Sequence, residues 1–149
     1  MRALLKGSAP EAMASAAALD QGPCDLPGPT GESNRYLLIP RGLVLCLGET
    51  AEIALSQAVQ ALTGGNKVIV VAPNATKVCK NLVQGDMPIA VFDGTVDPEL
   101  LTSLKHLDAV AFYGQQDQLT NYREKLALRP GAILPVISEL LYPGLYCHE

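Results

Sequence analysis

Five short apolar runs separated by amphipathic segments constrain the fold of this 149-residue chain more than any other feature. Each run is continuous rather than alternating, as strands are when helices cover both faces of a sheet. Apolar residues recur at helical spacing in the segments that follow the first four runs. This alternation predicts an α/β fold, a Rossmann-like, doubly wound sheet of about five mostly parallel strands. The predicted strands are residues 42–47, 67–71, 88–92, 108–113 and 133–137.

Local signals predict where some of these elements begin. Asp97 and Pro98 are an N-cap and a first-turn proline, and they predict a helix after the third strand. His106 would lie near the end of that helix, where a cation complements the helix dipole. Pro135 places the fifth strand at an edge of the sheet. The apolar face of the helix that follows Pro98 would comprise Leu100, Leu101, Leu104 and Leu107.

The first 34 residues differ in composition from the rest. Residues 1–20 are rich in alanine and predict a peripheral or frayed helix, because alanine favours helix but buries little surface. Residues 21–34 carry three prolines and three glycines, which predicts a linker or an extended arm. We therefore expect an N-terminal helix and arm over 1–34 and the Rossmann-like domain over 35–149.

Composition and charge exclude several classes of protein. The chain has 11 Lys and Arg against 15 Asp and Glu and no basic cluster, which argues against nucleic-acid binding. Its longest apolar runs are about six residues, whereas a membrane-spanning helix needs about 20. Only 17% of residues are charged, below the usual ~25%, which indicates either an unusually apolar surface or a surface that packs against a partner.

The four cysteines indicate a reduced, cytoplasmic protein rather than a disulfide framework or a metal site. Cys46 and Cys79 fall within apolar segments, where a free thiol behaves as a small hydrophobic group. Cys147 and His148 are neighbours, but no second ligand pair with metal-site spacing accompanies them. We therefore expect no metal site.

The loops after the strands are where a doubly wound sheet binds ligands, and here they lack catalytic groups. The first loop has Gly48 where a dinucleotide fingerprint needs three glycines, and it carries Glu49 and Glu52 where a pyrophosphate would lie. The second loop, with Asn74 and Lys77, could admit a phosphate. The third loop contains Asp93, which could suggest the phosphate-accepting aspartate of receiver domains. The chain lacks the acidic pair after the first strand and the lysine late in the sheet that these domains also need, so we interpret Asp93 as part of a turn.

A stretch at residues 26–47 resembles the C-terminal domain of the proline utilization A family. Its arm reads Leu-Pro-Gly-Pro-Thr-Gly-Glu-Ser-Asn and leads through Pro-Arg-Gly into the first apolar strand. The fifth strand and the closing segment 142–149 fit this family more loosely. The resemblance spans about residues 26–149, and because the family chain continues beyond this point, we expect this one to be a C-terminal fragment of a larger enzyme.

The resemblance implies a fold like the NAD-binding domain of aldehyde dehydrogenases but without catalytic function. Members of the family are bacterial, multifunctional oxidoreductases of proline catabolism. They join an FAD-dependent proline dehydrogenase to an NAD-dependent glutamate-semialdehyde dehydrogenase. The C-terminal domain would dock on the aldehyde dehydrogenase domain of the same polypeptide and help to enclose the cavity that channels the intermediate. The fragment itself would hold no cofactor. The family is cytoplasmic, and the parent enzyme can lie peripherally at the inner membrane.

Two hypotheses follow for this chain. In the first, it is the non-catalytic docking domain, and the extended polar arm contacts the partner. In the second, it is a functional NAD-binding domain of an aldehyde-dehydrogenase-like enzyme, which uses Gly48, Asn74 and Lys77, because aldehyde dehydrogenases bind NAD without a strict glycine fingerprint. The candidate docking residues of the first hypothesis are Pro29, Thr30, Gly31, Glu32, Asn34 and Arg35.

Overall fold

A five-stranded parallel sheet forms the centre of the computed structural model, which describes residues 10–148. The chain has nine strands within these residues: β1 (Cys24–Leu26), β2 (Asn34–Tyr36), β3 (Ile39–Pro40), β4 (Leu43–Gly48), β5 (Lys67–Ala72), β6 (Ile89–Asp93), β7 (Ala109–Tyr113), β8 (Val136–Ile137) and β9 (Cys147–His148). The α-helices over the same range are α1 (Pro10–Ala17), α2 (Ala51–Thr63), α3 (Ala75–Val78), α4 (Lys80–Gln84) and α5 (Gln116–Ala127). Two 3-10 helices span Pro98–Thr102 and Pro143–Tyr146.

The strands of the central sheet lie in the order β6-β5-β4-β7-β8, and every neighbouring pair is parallel. The chain therefore starts in the middle of the sheet, moves to one edge, and then returns to fill the other side. This arrangement confirms the predicted doubly wound α/β fold. The direction of winding reverses between β4 and β7, and such a switch point is where open α/β sheets leave a crevice for ligands.

Apolar side chains bury both faces of the sheet, as the continuous apolar strands predict. Val44 and Cys46 of β4 point into one core with α1, α2 and the α3–α4 segment. Leu45 and Leu47 alternate to the other face and pack with α5 and the segment around Leu101. α2 begins where the Thr50 hydroxyl accepts a hydrogen bond from the Ile53 N–H (3.3 Å) and caps the helix.

The N-terminal helix is part of the core rather than peripheral. Ala12 and Ala16 are only 1% and 4% exposed, and α1 packs against α2. The expectation of a peripheral or frayed helix was wrong over Pro10–Ala17, because small side chains on both helices let their backbones approach closely. The earlier part of the alanine-rich segment, residues 1–9, lies outside the described residues.

The connection between β6 and β7 differs most from the prediction. Instead of a long helix, it is the short 3-10 helix Pro98–Thr102, whose Asp97 cap accepts from the Glu99 N–H (3.0 Å). Leu101 is fully buried, whereas the adjacent Leu100 is 56% exposed. His106 lies in the following loop with a φ of 61°, so it is not in a helix. The predicted leucine face was wrong because the 3-10 helix ends at Thr102. Leu101 and Leu107 are both buried in the core, but Leu107 reaches it from the following loop, and Leu104 is exposed.

The remaining strands lie outside the central sheet. β1 and β2 form an antiparallel hairpin, and β3 pairs antiparallel with β9, which brings the end of the described chain back to the start of β4. Asn66 holds this junction, because its buried side-chain amide donates to the Ala61 and Tyr146 carbonyls (both 2.9 Å) and its oxygen accepts from the Gly42 N–H (3.0 Å). None of the helices in the described part of the chain is long and apolar enough to cross a bilayer.

Candidate functional site

The switch point between β4 and β7 holds only a small cavity, of about 120 Å³. Ligand pockets usually measure about 300–1,000 Å³, so this cavity is too small for a nucleotide. It lies at the position where a cofactor would bind in a doubly wound sheet. Its walls come from the ends of β4, β5 and β7, the loop after β6, and α5, and they include Leu47, Gly48, Glu49, Val71, Gly94, Phe112 and Tyr122.

Gly48 is required by close packing between β4 and α2. A Cβ at this position would lie 2.4 Å from the Ala54 nitrogen and 2.6 Å from the Thr50 oxygen, and both of these are backbone atoms. The glycine therefore lets the first turn of α2 sit against the end of its strand. Its proximity to the switch point agrees with the alternative hypothesis of a cofactor site, but its Cβ position faces protein backbone rather than open space.

Glu49 extends its carboxylate across the switch point. A Cβ built on Gly114, just after β7, would lie 2.9 Å from the Glu49 Oε2 atom. The carboxylate thus reaches from the end of β4 to the end of β7, over the crevice between them. A cofactor phosphate at this place would meet a negative charge, and a second carboxylate, Glu52, lies in the first turn of α2.

A larger cleft of about 610 Å³ lies beside the switch point, between the starts of α2 and α3. Asn74 and Lys77 line it, so the structure brings together the residues of the alternative cofactor site. Asn74 adopts a left-handed conformation with a φ of 58°, which turns the chain into α3. The same cleft is lined by Glu49 and Glu52, so its two carboxylates outnumber its one ammonium group. Its volume suits a nucleotide, but its charge does not.

A carboxylate of the chain itself binds the start of α3. Asp93, the last residue of β6, accepts hydrogen bonds from the Thr76 N–H (2.9 Å) and the Thr76 hydroxyl (2.5 Å). These two bonds, the hydroxyl one first, lower the pKa of the Asp93 carboxyl below its ordinary value. The aspartate therefore joins the end of β6 to the first turn of α3 through side-chain hydrogen bonds, a contact that the interpretation of the third loop as a turn did not include.

Burial makes the thiols in the core poor nucleophiles. Desolvation raises the pKa of the Cys79 thiol to about 11, and it raises the pKa of the fully buried Cys46 further, with an added contribution from the nearby Cys79. All four cysteines are free. Cys147 points inward and His148 outward, so these neighbours do not converge, and residues 10–148 contain no group of three or more potential metal ligands.

The predicted arm forms the β1–β2 hairpin, whose strands pair in register so that Asp25 faces Arg35. Their side chains form an ion pair (3.0 Å) in which both are largely exposed, and such a surface pair adds little stability. β2 begins at Asn34, so this strand crosses the expected boundary at residues 34 and 35. The hairpin residues 22–35 are exposed throughout.

The tip of this hairpin is a tight turn built from the candidate docking residues. The Glu32 N–H donates to the Pro29 carbonyl (3.1 Å), and Gly31 has a φ of 94°, which is the geometry of a type II turn. Thr30 occupies the remaining central position. The structure therefore places all six candidate docking residues together on one projecting, solvent-exposed element.

Sequence reasoning missed two structural roles near the candidate site. The reach of Glu49 toward Gly114 was not predicted, although a carboxylate directly after a strand at the switch point was a signal for it. Asn66 was also missed, and its position directly after the Gly64–Gly65 end of α2 was the available signal.

Comparison with known proteins identifies the family to which the chain belongs. No family model matches it. Over 113 residues it is 37% identical to the bifunctional protein PutA of Escherichia coli strain K12, and over 112 residues it is 35% identical to PutA of Salmonella typhimurium strain LT2. Each alignment covers 74% of this chain. This chain is a PutA-type domain. It spans only 8% of the length of those PutA proteins.

Solved structures give the same result for the fold of the PutA-type domain. A crystal structure of bifunctional proline utilization A aligns with a TM-score of 0.69 and 26% identity, over 87% of this chain and 14% of that chain. A betaine aldehyde dehydrogenase from Staphylococcus aureus, in complex with NAD⁺, aligns with a TM-score of 0.67 and 16% identity, over 87% and 28% of the two chains. The predicted likeness to aldehyde dehydrogenases is confirmed at the level of the fold.

Proposed function

We propose that this PutA-type domain is a non-catalytic docking domain of a bifunctional enzyme that oxidises proline to glutamate. Its partner would be the aldehyde dehydrogenase domain of the same polypeptide, and its role would be to help enclose the cavity that carries the intermediate. The parent enzyme would be a cytoplasmic oxidoreductase, and a C-terminal position in it would match the resemblance of residues 26–149. The parent's proline dehydrogenase would use FAD and its glutamate-semialdehyde dehydrogenase NAD.

The observation that carries this proposal is the charge at the ligand-binding edge of the sheet. Glu49 spans the switch point, and Asp93 binds the first turn of α3, so carboxylates of the chain occupy both positions where a dinucleotide needs backbone N–H groups or cations. Among the described residues, Lys77 is the one cation that lines the adjacent cleft. These residues do not fit NAD, and we derive no reaction step through it in this domain.

The exposed hairpin supports a docking role. Its strands have no core of their own to cover, and its apolar Leu26 is 48% exposed. The turn at Pro29–Glu32 presents polar groups on a rigid element, since the backbone hydrogen bonds of the ladder fix its shape before binding. A preorganised element loses less conformational entropy on docking than a flexible arm.

Docking would contribute to function by excluding water rather than by chemistry. An enclosed passage prevents loss and side reactions of a reactive intermediate, which is one recognised contribution of closed sites. The domain would supply wall surface, and its low charged fraction of 17% suits a surface that becomes buried.

The experiment shortens the hairpin tip in the full polypeptide that carries this chain. Residues 28–32 are replaced by a two-residue Asn-Gly turn, which keeps β1 and β2 intact. We expect a longer transient time before NADH formation when proline is the substrate. Each separate activity, assayed with its own substrate, should remain unchanged.

The matched control removes an exposed group of the same hairpin without altering its tip. Asp25→Ala breaks the surface ion pair with Arg35 and should leave the transient time unchanged. An unchanged transient time in the shortened variant would contradict the docking role of the tip. A loss of both separate activities would instead show that the hairpin stabilises the enzyme as a whole.

A second candidate function, NAD binding, is favoured by one observation. The cleft beside Asn74 and Lys77 measures about 610 Å³, which is sufficient for part of a dinucleotide. If this cleft binds NAD, then Lys77→Ala should weaken binding, and the double change Glu49→Gln with Glu52→Gln should strengthen it, because the pyrophosphate would lie among these charges.

A further inference from the structure

Two adjoining grooves flank the loop that precedes β8, away from the hairpin and the switch point. One, of about 480 Å³, lies between this loop and the end of α5. The other, of about 560 Å³, lies between the loop and the segment that leads into β4 and β7. The two grooves share a wall formed by Arg129, Ala132, Ile133, Leu134 and Pro135.

Arginines concentrate in these grooves although the chain as a whole is acidic. Three of its five arginines line them: Arg123 in the first groove, Arg41 in the second, and Arg129 in both. Within residues 10–148, none of the three forms an ion pair. Among the residues that the structure describes, Asp108 is the one carboxylate that lines the grooves, and it accepts from the Leu43 N–H (2.7 Å). The grooves therefore carry a local excess of positive charge.

The protein holds two of these guanidinium groups in place by backbone hydrogen bonds. The Arg41 Nε donates to the Leu145 carbonyl (2.8 Å), and an Arg129 terminal nitrogen donates to the Leu101 carbonyl (2.8 Å). An Arg123 terminal nitrogen donates to the Ser138 hydroxyl (3.3 Å). Each group keeps further N–H donors for a ligand. Fixed guanidinium groups favour carboxylates, since the planar fork matches a carboxylate in two hydrogen bonds.

One donor in this cluster lacks a partner. The Arg129 Nε is buried and makes no hydrogen bond with any part of the chain that the structure describes. A buried donor without a partner is unfavourable, and native proteins satisfy nearly all such groups. The unsatisfied atom belongs to the residue that the two grooves share, so a ligand seated between them could satisfy it.

The shared wall also exposes apolar surface. Ile133, a residue of this wall, is 95% exposed. The grooves are therefore amphipathic, with aliphatic side chains between guanidinium groups. Such a surface fits a ligand that carries both carboxylates and apolar side chains.

The edge of the sheet at β8 supplies backbone groups beside the same wall. Among the strands of residues 10–148, β8 has a single neighbour, β7, so no strand of this range pairs with its outer side. The Pro135 carbonyl accepts from the Val110 N–H (3.0 Å) and therefore points inward. Because backbone groups alternate along a strand, those of Leu134 and Val136 point outward, toward the open side. An open edge can pair with an added strand.

We propose that the two grooves and the open edge of β8 form a docking surface for an acidic peptide segment in extended conformation. Its backbone pairs with Leu134 and Val136, and its apolar side chains cover Ile133. Its carboxylates bind Arg41, Arg123 and Arg129. A peptide fits better than a small carboxylate because the positive charges lie on both sides of the wall rather than in one enclosed pocket. This surface is separate from the hairpin and does not depend on the docking role proposed for it.

The test is a titration of the chain with the peptide acetyl-Glu-Val-Glu-Val-Glu-Val-amide, followed by NMR amide shifts. We expect saturable shifts in residues 129–138 that weaken as salt is added. Arg123→Ala and Arg129→Ala should each weaken binding by about tenfold. Arg123 is exposed and bonds only to a side-chain hydroxyl, so its variant tests the proposal even if loss of Arg129 impairs folding. Lys80→Ala removes an exposed cation of α4 that lines neither groove, so it is the control and should leave the affinity unchanged.

Three other outcomes would overturn the proposal. The first is equal binding of the same peptide with Lys in place of Glu, since this would remove the role of the arginines. The second is binding of glutarate as tight as that of the peptide, which would show a small-carboxylate site instead. The third is absence of saturable shifts at millimolar peptide beyond those that self-association of the chain alone produces.

Discussion

The Asp93 carboxylate at the end of β6 accepts two hydrogen bonds from Thr76, one from its backbone N–H and one from its hydroxyl, in the first turn of α3. The first turn of α3 would otherwise attract a phosphate, but here its hydrogen-bond donors bind a carboxylate of the same chain. A second carboxylate, that of Glu49, lies against Gly114 at the switch point. Carboxylates of the protein itself therefore lie along the edge of the sheet that binds ligands in related folds.

The Asp93 contact predicts a specific dependence of stability on pH. Its pKa is lower in the folded state than its ordinary value near 4, so its stabilising contribution is complete above that value and is lost as the pH falls through the folded pKa. Asp93→Asn should therefore be less stable than the natural chain at pH 7, and the two should converge below pH 4. Thermal unfolding at several pH values measures this difference. A difference that stays constant from pH 7 to the acid limit would contradict the prediction.

Two neighbouring leucines test the 3-10 helix between β6 and β7. Leu101 is fully buried in the second core, so Leu101→Ala should lower the free energy of unfolding by about 2–5 kcal/mol. Leu100, one residue earlier, is 56% exposed, and Leu100→Ala should change it by less than about 0.5 kcal/mol. Denaturant unfolding of both variants measures the two effects. Equal losses would support the longer helix that the sequence pattern predicted.

A substitution at Gly48 tests whether this glycine is required for packing between β4 and α2. Gly48→Ala would force a Cβ against the Thr50 and Ala54 backbone and should destabilise the fold by about 1–3 kcal/mol. Gly144→Ala is the matched control, since its added Cβ would lie 3.6 Å from the Tyr142 ring, an ordinary contact distance. The control should be close to neutral in the same unfolding experiment. If Gly48→Ala were as stable as the control, this would contradict the claim that β4 and α2 approach too closely at Gly48 for a side chain.

The sheet could be predicted from the sequence because its strands are continuous apolar runs. Val44–Cys46 and Val68–Val70 are buried among helices that alternate with them, and this pattern has few other solutions. Shorter elements were harder to predict. β8 is only two residues long, and the leucines after Pro98 fit a helical spacing that the chain does not adopt.

Contacts at the candidate site could not be predicted, because they join residues that are distant in sequence. Asp93 and Thr76 are 17 positions apart, and Glu49 meets Gly114 only because β4 and β7 are neighbours in the sheet. Likewise, the burial of Ala12 depends on its packing against α2, which composition alone does not reveal. Strand order decides which loops meet, and local patterns do not encode it.

Calorimetric titration of the chain with NAD⁺ and NADH tests the central claim most directly. The claim is that carboxylates at Glu49 and Asp93 leave this PutA-type domain without a working cofactor site, so that it acts through its surface. We predict no saturable heat at millimolar concentrations of either nucleotide, under conditions in which an NAD-dependent aldehyde dehydrogenase gives a clear binding curve. Saturable binding at micromolar to low-millimolar affinity, weakened by Lys77→Ala, would contradict the claim and establish the cleft beside Asn74 as a cofactor site.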